Sequence, residues 1–192
     1  MTEHEKMLAG MIYNSRDEEL LNMYHTSKKL LSDFDNTNST EGEKKFQILK
    51  QLLGDIGEGV WIEKTFSCDY GKNIFIGKNT FINYNCVFID DNYIKIGENV
   101  LIGPTVQIYT ATHPLPVNQR IIHKKDGTMS YSSYTKPVTI GNNVWVGGGS
   151  ILCPGVEIGD NTVIGAGSVV TKDIPSDCIA YGNPCSVARS NE

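Results

Sequence analysis

Four kinds of feature are missing from these 192 residues, and each absence removes a class of protein. No apolar run reaches the ~18 residues of a membrane-spanning helix, and the start, MTEHEKMLAG, lacks the basic-then-apolar plan of a signal peptide, so a cytoplasmic protein is expected. The five cysteines, Cys68, Cys86, Cys153, Cys178 and Cys185, are odd in number and form no CxxC pair, which suggests neither a disulfide framework nor a zinc knuckle. They read as small buried apolar residues. The formal net charge of -5, with no long Lys/Arg cluster, argues against nucleic acid and anionic membrane as partners and leaves small molecules. Length and a 40% hydrophobic content suit one soluble unit.

What is present is a period of six. Ile140, Val146, Leu152, Ile158, Ile164 and Val170 are evenly spaced, and Gly141, Gly147, Gly159 and Gly165 follow four of them, where a corner needs positive φ or close backbone approach. The residues two before each, Val138, Val144, Ser150, Val156, Thr162 and Ser168, are small or β-branched and suit short strands. A fixed period of strand plus tight turn signals a parallel β-helix, with each hexad one flat side of a triangular prism. Upstream, the inward positions continue through Ile62, Cys68, Ile76, Ile82, Phe88, Ile96, Ile102 and Ile108.

The interruptions of that register carry the functional signal. The steps from Cys68 to Ile76, from Phe88 to Ile96 and from Ile108 to Ile140 are too long, and with three hexads per turn all three fall at one corner. Insertions on one face of a solenoid mark its binding face. They carry Asp69, Tyr70, Asp90, Asp91, Asn92 and His113, and the third is an arm from Tyr109 to Pro137, on which Lys124 and Lys125 read as a solvated face. Before the prism, residues 2–54 show three helix-start signals, Thr2 with Glu5, Ser15 with Glu18 and Thr40 with Glu43, for helices that cap the first coil. The chain thus divides into a helical cap (1–56), a β-helix with an extended loop (57–174 and 109–137) and a tail (175–192) after Pro175.

The joint pattern Ala111-Thr112-His113-Pro114, the arm, KPVTIGNNVWVGGG, VIGAGSVVTKDIP and GNPC resembles the galactoside and maltose O-acetyltransferases over nearly the whole chain. The resemblance implies a left-handed β-helix, a homotrimer with active sites between subunits, and acetyl-CoA as co-substrate with no metal. It makes His113 the catalytic base, Asp17, Asp69, Asn83 and Asp91 acceptor-binding, and Trp145, Gly147, Gly148, Ala166, Thr171, Lys172 and Arg189 the flank for the coenzyme. Asp69 and Gly148 look more like the maltose enzymes, since in the galactoside enzymes a serine sits at each of these positions. The chemistry suits the residues: an imidazole, with an ordinary pKa of about 6.5, takes a hydroxyl proton near neutral pH, and a glycine N–H such as that of Gly147 or Gly148 can hold the oxyanion. The competing readings are a prism-fold zinc enzyme, for which the coils offer no second histidine beside His113, an acyltransferase for an antibiotic or serine, and a non-catalytic binding module.

Overall fold

A computed structural model of the chain describes residues 1–123 and 125–191, so Lys124 lies outside the described residues. The hexads form a parallel β-helix of about six turns with three faces. The first face stacks Asp55–Ile56, Ile74–Ile76, Ile94–Ile96, Val138–Ile140 and Glu157–Ile158. The second stacks Trp61–Ile62, Phe81–Ile82, Leu101–Ile102, Trp145–Val146, Val163–Ile164 and Cys178–Gly182. The third stacks Ser67–Cys68, Val87–Ile89, Gln107–Tyr109, Ile151–Leu152 and Val169–Val170. The pairing is parallel and in register, so each inward residue sits over the next: Ile62, Ile82, Ile102, Val146, Ile164 and Ala180 make one column. Every inward position from Ile62 to Val170 is at most 4% exposed. At roughly 1.5–3 kcal/mol for each buried Val, Leu or Ile side chain, this column packing dominates the stability of the prism.

The corners use two devices. The glycines that follow inward residues keep ordinary φ; what they lack is room, since a Cβ on Gly147 would lie 2.4 Å from the Ala166 nitrogen of the next coil. Close backbone approach, not positive φ, is therefore the reason for them. At the corner between the first and second faces, positive φ falls on asparagines. Asn79, Asn99, Asn143 and Asn161 have φ of 56–57° and stack at the corner between the first and second faces, where each side-chain amide donates to the carbonyl oxygen of the next at 2.9–3.3 Å. Asn161 ends the ladder by donating to Asp177 at 2.7 Å. Asparagine tolerates the left-handed region and its amide both donates and accepts, so one residue type meets both needs. Asn143→Ala in the middle of this ladder should cost about 1–2 kcal/mol in urea unfolding, from the left-handed alanine and the lost bonds; an unchanged midpoint would mean that the ladder contributes nothing.

Helices α1 (Glu3–Leu8), α2 (Glu18–Asp35) and α3 (Gly42–Leu52) precede the prism. Thr2 and Glu5 form the expected capping box. The second start differs from the expectation on Ser15: α2 is capped by Asp17, whose carboxylate accepts from Glu19 N at 3.1 Å. The third differs too, with Glu41 at the N-cap and no side-chain cap bond. Leu31 and Phe34 of α2 and Leu49 and Leu52 of α3 join the prism's core and close its first coil. Met7, Tyr13, Leu20 and Tyr70 form a separate small cluster beside the insertion corner.

Past Pro175 the repeat continues. Ile174 bridges to Ile158, Cys178–Gly182 pairs with Val163–Ile164, and Cys185–Ser190 folds back antiparallel as the last strand of the second face. Cys68, Cys86, Cys178 and Cys185 are buried free thiols, while Cys153 is half-buried.

Candidate active site

All three insertions leave the third face and re-enter the first, as the register breaks implied, so their residues converge at one corner. Two of the insertion residues there, Asp90 and Asn92, are taken up by bonds that hold the corner together. Asp90 is fully buried; its Oδ1 accepts from Asp69 N at 2.8 Å and Tyr70 N at 2.9 Å, fixing the first insertion. Burial pushes its carboxyl up to about 7. Asn92 donates to Leu8 O at 3.1 Å and to Thr135 Oγ1 at 2.8 Å, tying α1 and the arm to the coil.

Asp91 and Asp69 instead line a pocket of about 430 Å³ together with Ser15, Arg16, Tyr24, Tyr70 and Tyr131. Asp91 is 7% exposed, and burial pushes its carboxyl up to about 6 against the lowering effect of a hydrogen bond from Tyr13. Asp69 is met by Lys28 of α2, with Nζ 3.4 Å from Oδ1. Asp17 sits next to this pocket's Ser15 and Arg16 as the cap of α2.

His113 starts the arm. Ala111–Thr112 pairs antiparallel with Tyr134–Thr135, and beyond it a helical turn, α4 (Val117–Arg120), leads into a hairpin of Ile121–His123 with Met129–Tyr131. The arm is thus a pinned, two-tier hairpin rather than an open loop. Its return strand holds the imidazole: Nδ1 lies 2.8 Å from the Ser132 carbonyl oxygen and 3.4 Å from Ser133 Oγ, and the Tyr131 ring meets it edge-on at 5.5 Å. A carbonyl only accepts, so Nδ1 carries the hydrogen and Nε2 presents the lone pair. The ring is exposed, and its orientation is set by backbone.

The other sequence-identified residues lie elsewhere. Asn83 stands at the corner between the second and third faces, in the column that continues through Gly103, Gly147 and Gly165. Gly148 and the exposed Ala166 share that corner, with Trp145, 53% exposed, on the second face beside it. Arg189 is exposed on the outer strand of the second face, opposite Ile179. Thr171 and Lys172 are exposed at the turn from the third face to the first. One chain therefore brings together Asp69, Asp91 and His113, leaves Asp17 outside the pocket's lining as the cap of α2, and puts Asn83 and the Gly148 flank a full face away. Gly147 N donates to Ile164 O at 2.7 Å within the ladder, so the expectation that its N–H is available to an oxyanion is corrected. Sequence reasoning missed Tyr13, Tyr131 and the Ser132 carbonyl, whose roles depend on contacts between distant segments. Among the described residues no group of three or more His, Cys, Asp or Glu could hold a metal, and no helix is long and apolar enough to cross a membrane.

A family model for the maltose acetyltransferase hexapeptide capping motif matches residues 6–57, and one for the bacterial transferase hexapeptide (six repeats) matches residues 137–172. The crystal structure of a maltose O-acetyltransferase from Clostridium difficile 630 matches with a TM-score of 0.91 and 49% identity, covering 99% of this chain and 97% of that one. A galactoside acetyltransferase in complex with coenzyme A matches with a TM-score of 0.91 and 40% identity, covering 100% and 92%. Nodulation protein L of Rhizobium meliloti (strain 1021) is 44% identical over 186 residues, 97% of each chain. Cap and repeat are matched, and near-full-length relatives stand well above 30% identity: the chain belongs to the hexapeptide-repeat acetyltransferases, alongside the galactoside and maltose O-acetyltransferases.

Proposed function

We propose that this enzyme works in the cytoplasm and moves the acetyl group of acetyl-CoA to a hydroxyl of a sugar, with His113 as general base. The observation that carries the reading is the bond from His113 Nδ1–H to the Ser132 carbonyl, which fixes the tautomer and leaves Nε2 free to take a proton at the insertion corner. In the step so read, Nε2 removes the acceptor's hydroxyl proton as its oxygen attacks the thioester carbonyl. The tetrahedral intermediate collapses with loss of the coenzyme thiolate, which receives the proton back from the imidazolium, giving the acetyl ester and free thiol.

The pocket beside that base suits a neutral polyol. Carboxylates of Asp69 and Asp91 accept hydrogen bonds from sugar hydroxyls, Asp17 adds a third at its edge, and the rings of Tyr24 and Tyr131 offer apolar faces to a pyranose. Names of the relatives support this acceptor class: maltose and galactoside enzymes stand at 49% and 40% identity. For the coenzyme, Trp145, Gly148 and Ala166 offer an accessible flank for the pantetheine, with Thr171, Lys172 and Arg189 exposed for its polar and phosphate groups.

The separation of Asn83 and Gly148 from His113 by a whole face supports a site completed by a second copy, whose second-to-third corner faces the first copy's insertion corner. Three prisms around an axis form such clefts without growing into a fibre, and we read the assembly as a homotrimer. Incubating the protein with acetyl-CoA and a panel of maltose, glucose and galactosides should release free thiol with at least one acceptor. A thiol signal no higher than that without acceptor, across the panel, overturns the sugar reading.

A further inference from the structure

The N-terminal segment before α2 touches both halves of the site. The Tyr13 hydroxyl, on a residue 5% exposed, donates to Asp91 Oδ1 at 2.5 Å across 78 residues of sequence. The same residue's backbone N–H donates to Ser133 O at 3.3 Å in an isolated antiparallel bridge, next to the Ser132 carbonyl that orients His113. Its ring packs with Met7, Leu20 and Tyr70, so the phenol is held by packing as well as by hydrogen bonds.

We propose that Tyr13 is a positioning residue of the acceptor site: its hydroxyl holds the Asp91 carboxylate ionised and aimed into the pocket, and its backbone bridge steadies the strand that orients His113. This rests on the reading of Asp91 as an acceptor ligand. Burial and the Asp91 charge push the phenol well above its ordinary range, so Tyr13 keeps its proton and only donates. The groups facing Asp91 are Tyr13, Asp69 and His113, with Tyr70 and Asp90 beside them. Asp69 repels the Asp91 charge, while Tyr13 and a protonated His113 stabilise it. Among the lowering influences the Tyr13 bond is the largest, and it opposes a burial that already brings the carboxyl up to about 6. Taking the hydroxyl away therefore moves the ionisation of Asp91 upward, into the working range. Acceptor binding that needs the carboxylate is lost as pH falls through this value, and the loss then begins at a higher pH.

The test is Tyr13→Phe, which keeps the ring packing and the backbone bridge, assayed with the best acceptor of the maltose, glucose and galactoside panel. Acceptor KM at pH 7 should rise roughly tenfold or more, the scale for losing a hydrogen bond to a charged group. The acid limb of acceptor binding, titrated from pH 5 to 8, should move to higher pH, while kcat and the KM for acetyl-CoA stay within about twofold because the His113 support is intact. Asp91→Asn serves as the reference: it should raise acceptor KM and abolish the Asp91 limb, and adding Tyr13→Phe to it should change little further. If Asp91→Asn raises KM but Tyr13→Phe leaves both KM and the limb unmoved, the inference about Tyr13 fails alone. If Asp91→Asn itself leaves acceptor KM unchanged, the reading of Asp91 fails and takes the inference with it.

Discussion

His113→Ala should lower kcat by roughly 10² to 10⁴, the usual scale for losing a general base, while the dissociation constant for acetyl-CoA stays near that of the parent enzyme. Its size rests on how narrowly the imidazole is set up. Ser132 fixes Nδ1 as the donor, Ser133 Oγ stands at 3.4 Å, and the Tyr131 ring packs T-shaped against the imidazole, so Nε2 is the nitrogen left to act as base. The histidines His4, His25 and His123 lie on α1, α2 and the outer hairpin of the arm, and none of them lines the pocket that holds Asp69 and Asp91. Alanine at position 113 leaves the coil untouched, because the ring is exposed and the arm remains pinned by the pairing of Ala111–Thr112 with Tyr134–Thr135. Steady-state thiol release with saturating acceptor reads the kcat, and calorimetric titration of coenzyme A reads the binding. Turnover within about threefold of the parent would remove His113 from the chemistry, since a positioned base contributes far more. A large loss of coenzyme affinity would instead make it a binding residue.

The prism was legible because its rule is local and strict. One inward residue per hexad must be apolar, and the flanking positions must be small or β-branched to lie flat, so Val138 to Val170 announces the fold without reference to any other segment. The convergence of the three insertions at one corner was legible for the same reason, since an interruption shows against a perfect register. What the hexads hid was the physics of the corner. A glycine serves equally for positive φ and for close approach, and only the coordinates show that Gly147 is crowded by Ala166, that Gly149 and Gly167 are left-handed, and that the corner between the first and second faces gives the left-handed conformation to Asn79, Asn99, Asn143 and Asn161. The last coil was hidden by its irregular entry: Pro175 reads as a stop, yet Ile174 and Ala180 still bury themselves over Ile158 and Ile164. Within the site, the carboxylates and His113 could be picked out as residue types that a corner does not require. Tyr13 could not, because a tyrosine between Ile12 and Asn14, outside any repeat, carries no local signal, and its meaning appears only when the N-terminal segment crosses the arm. Nor could the Ser132 carbonyl, which is backbone and so has no side chain for a sequence to display.

Mixing two inactive chains should restore activity if each site is shared between copies. His113→Ala disables the insertion corner, and Ala166→Trp, at an exposed position on the coenzyme flank, obstructs the other corner without entering the core. Each homotrimer alone lacks one wall in every site. After co-refolding or co-expression at equal amounts, a site that takes His113 from one chain and Ala166 from its neighbour is intact when both draws are favourable, which is about one site in four for a cyclic assembly. A site built from one chain is never intact, because every chain carries one of the two lesions. The contrast between about a quarter of parental turnover and the background of either variant alone is larger than any single affinity effect predicted above. The expectation rests on the proposed sharing of the site and on the placement of the two residues: His113 stands at the third-to-first corner and Ala166 at the second-to-third corner of one prism. Light scattering on the parent protein should give three times the 21.2 kDa chain mass, and on the mixtures the same value. Background activity in mixtures of trimeric mass would assign both walls to one chain, and a stable monomer with full activity would dismiss the shared site altogether.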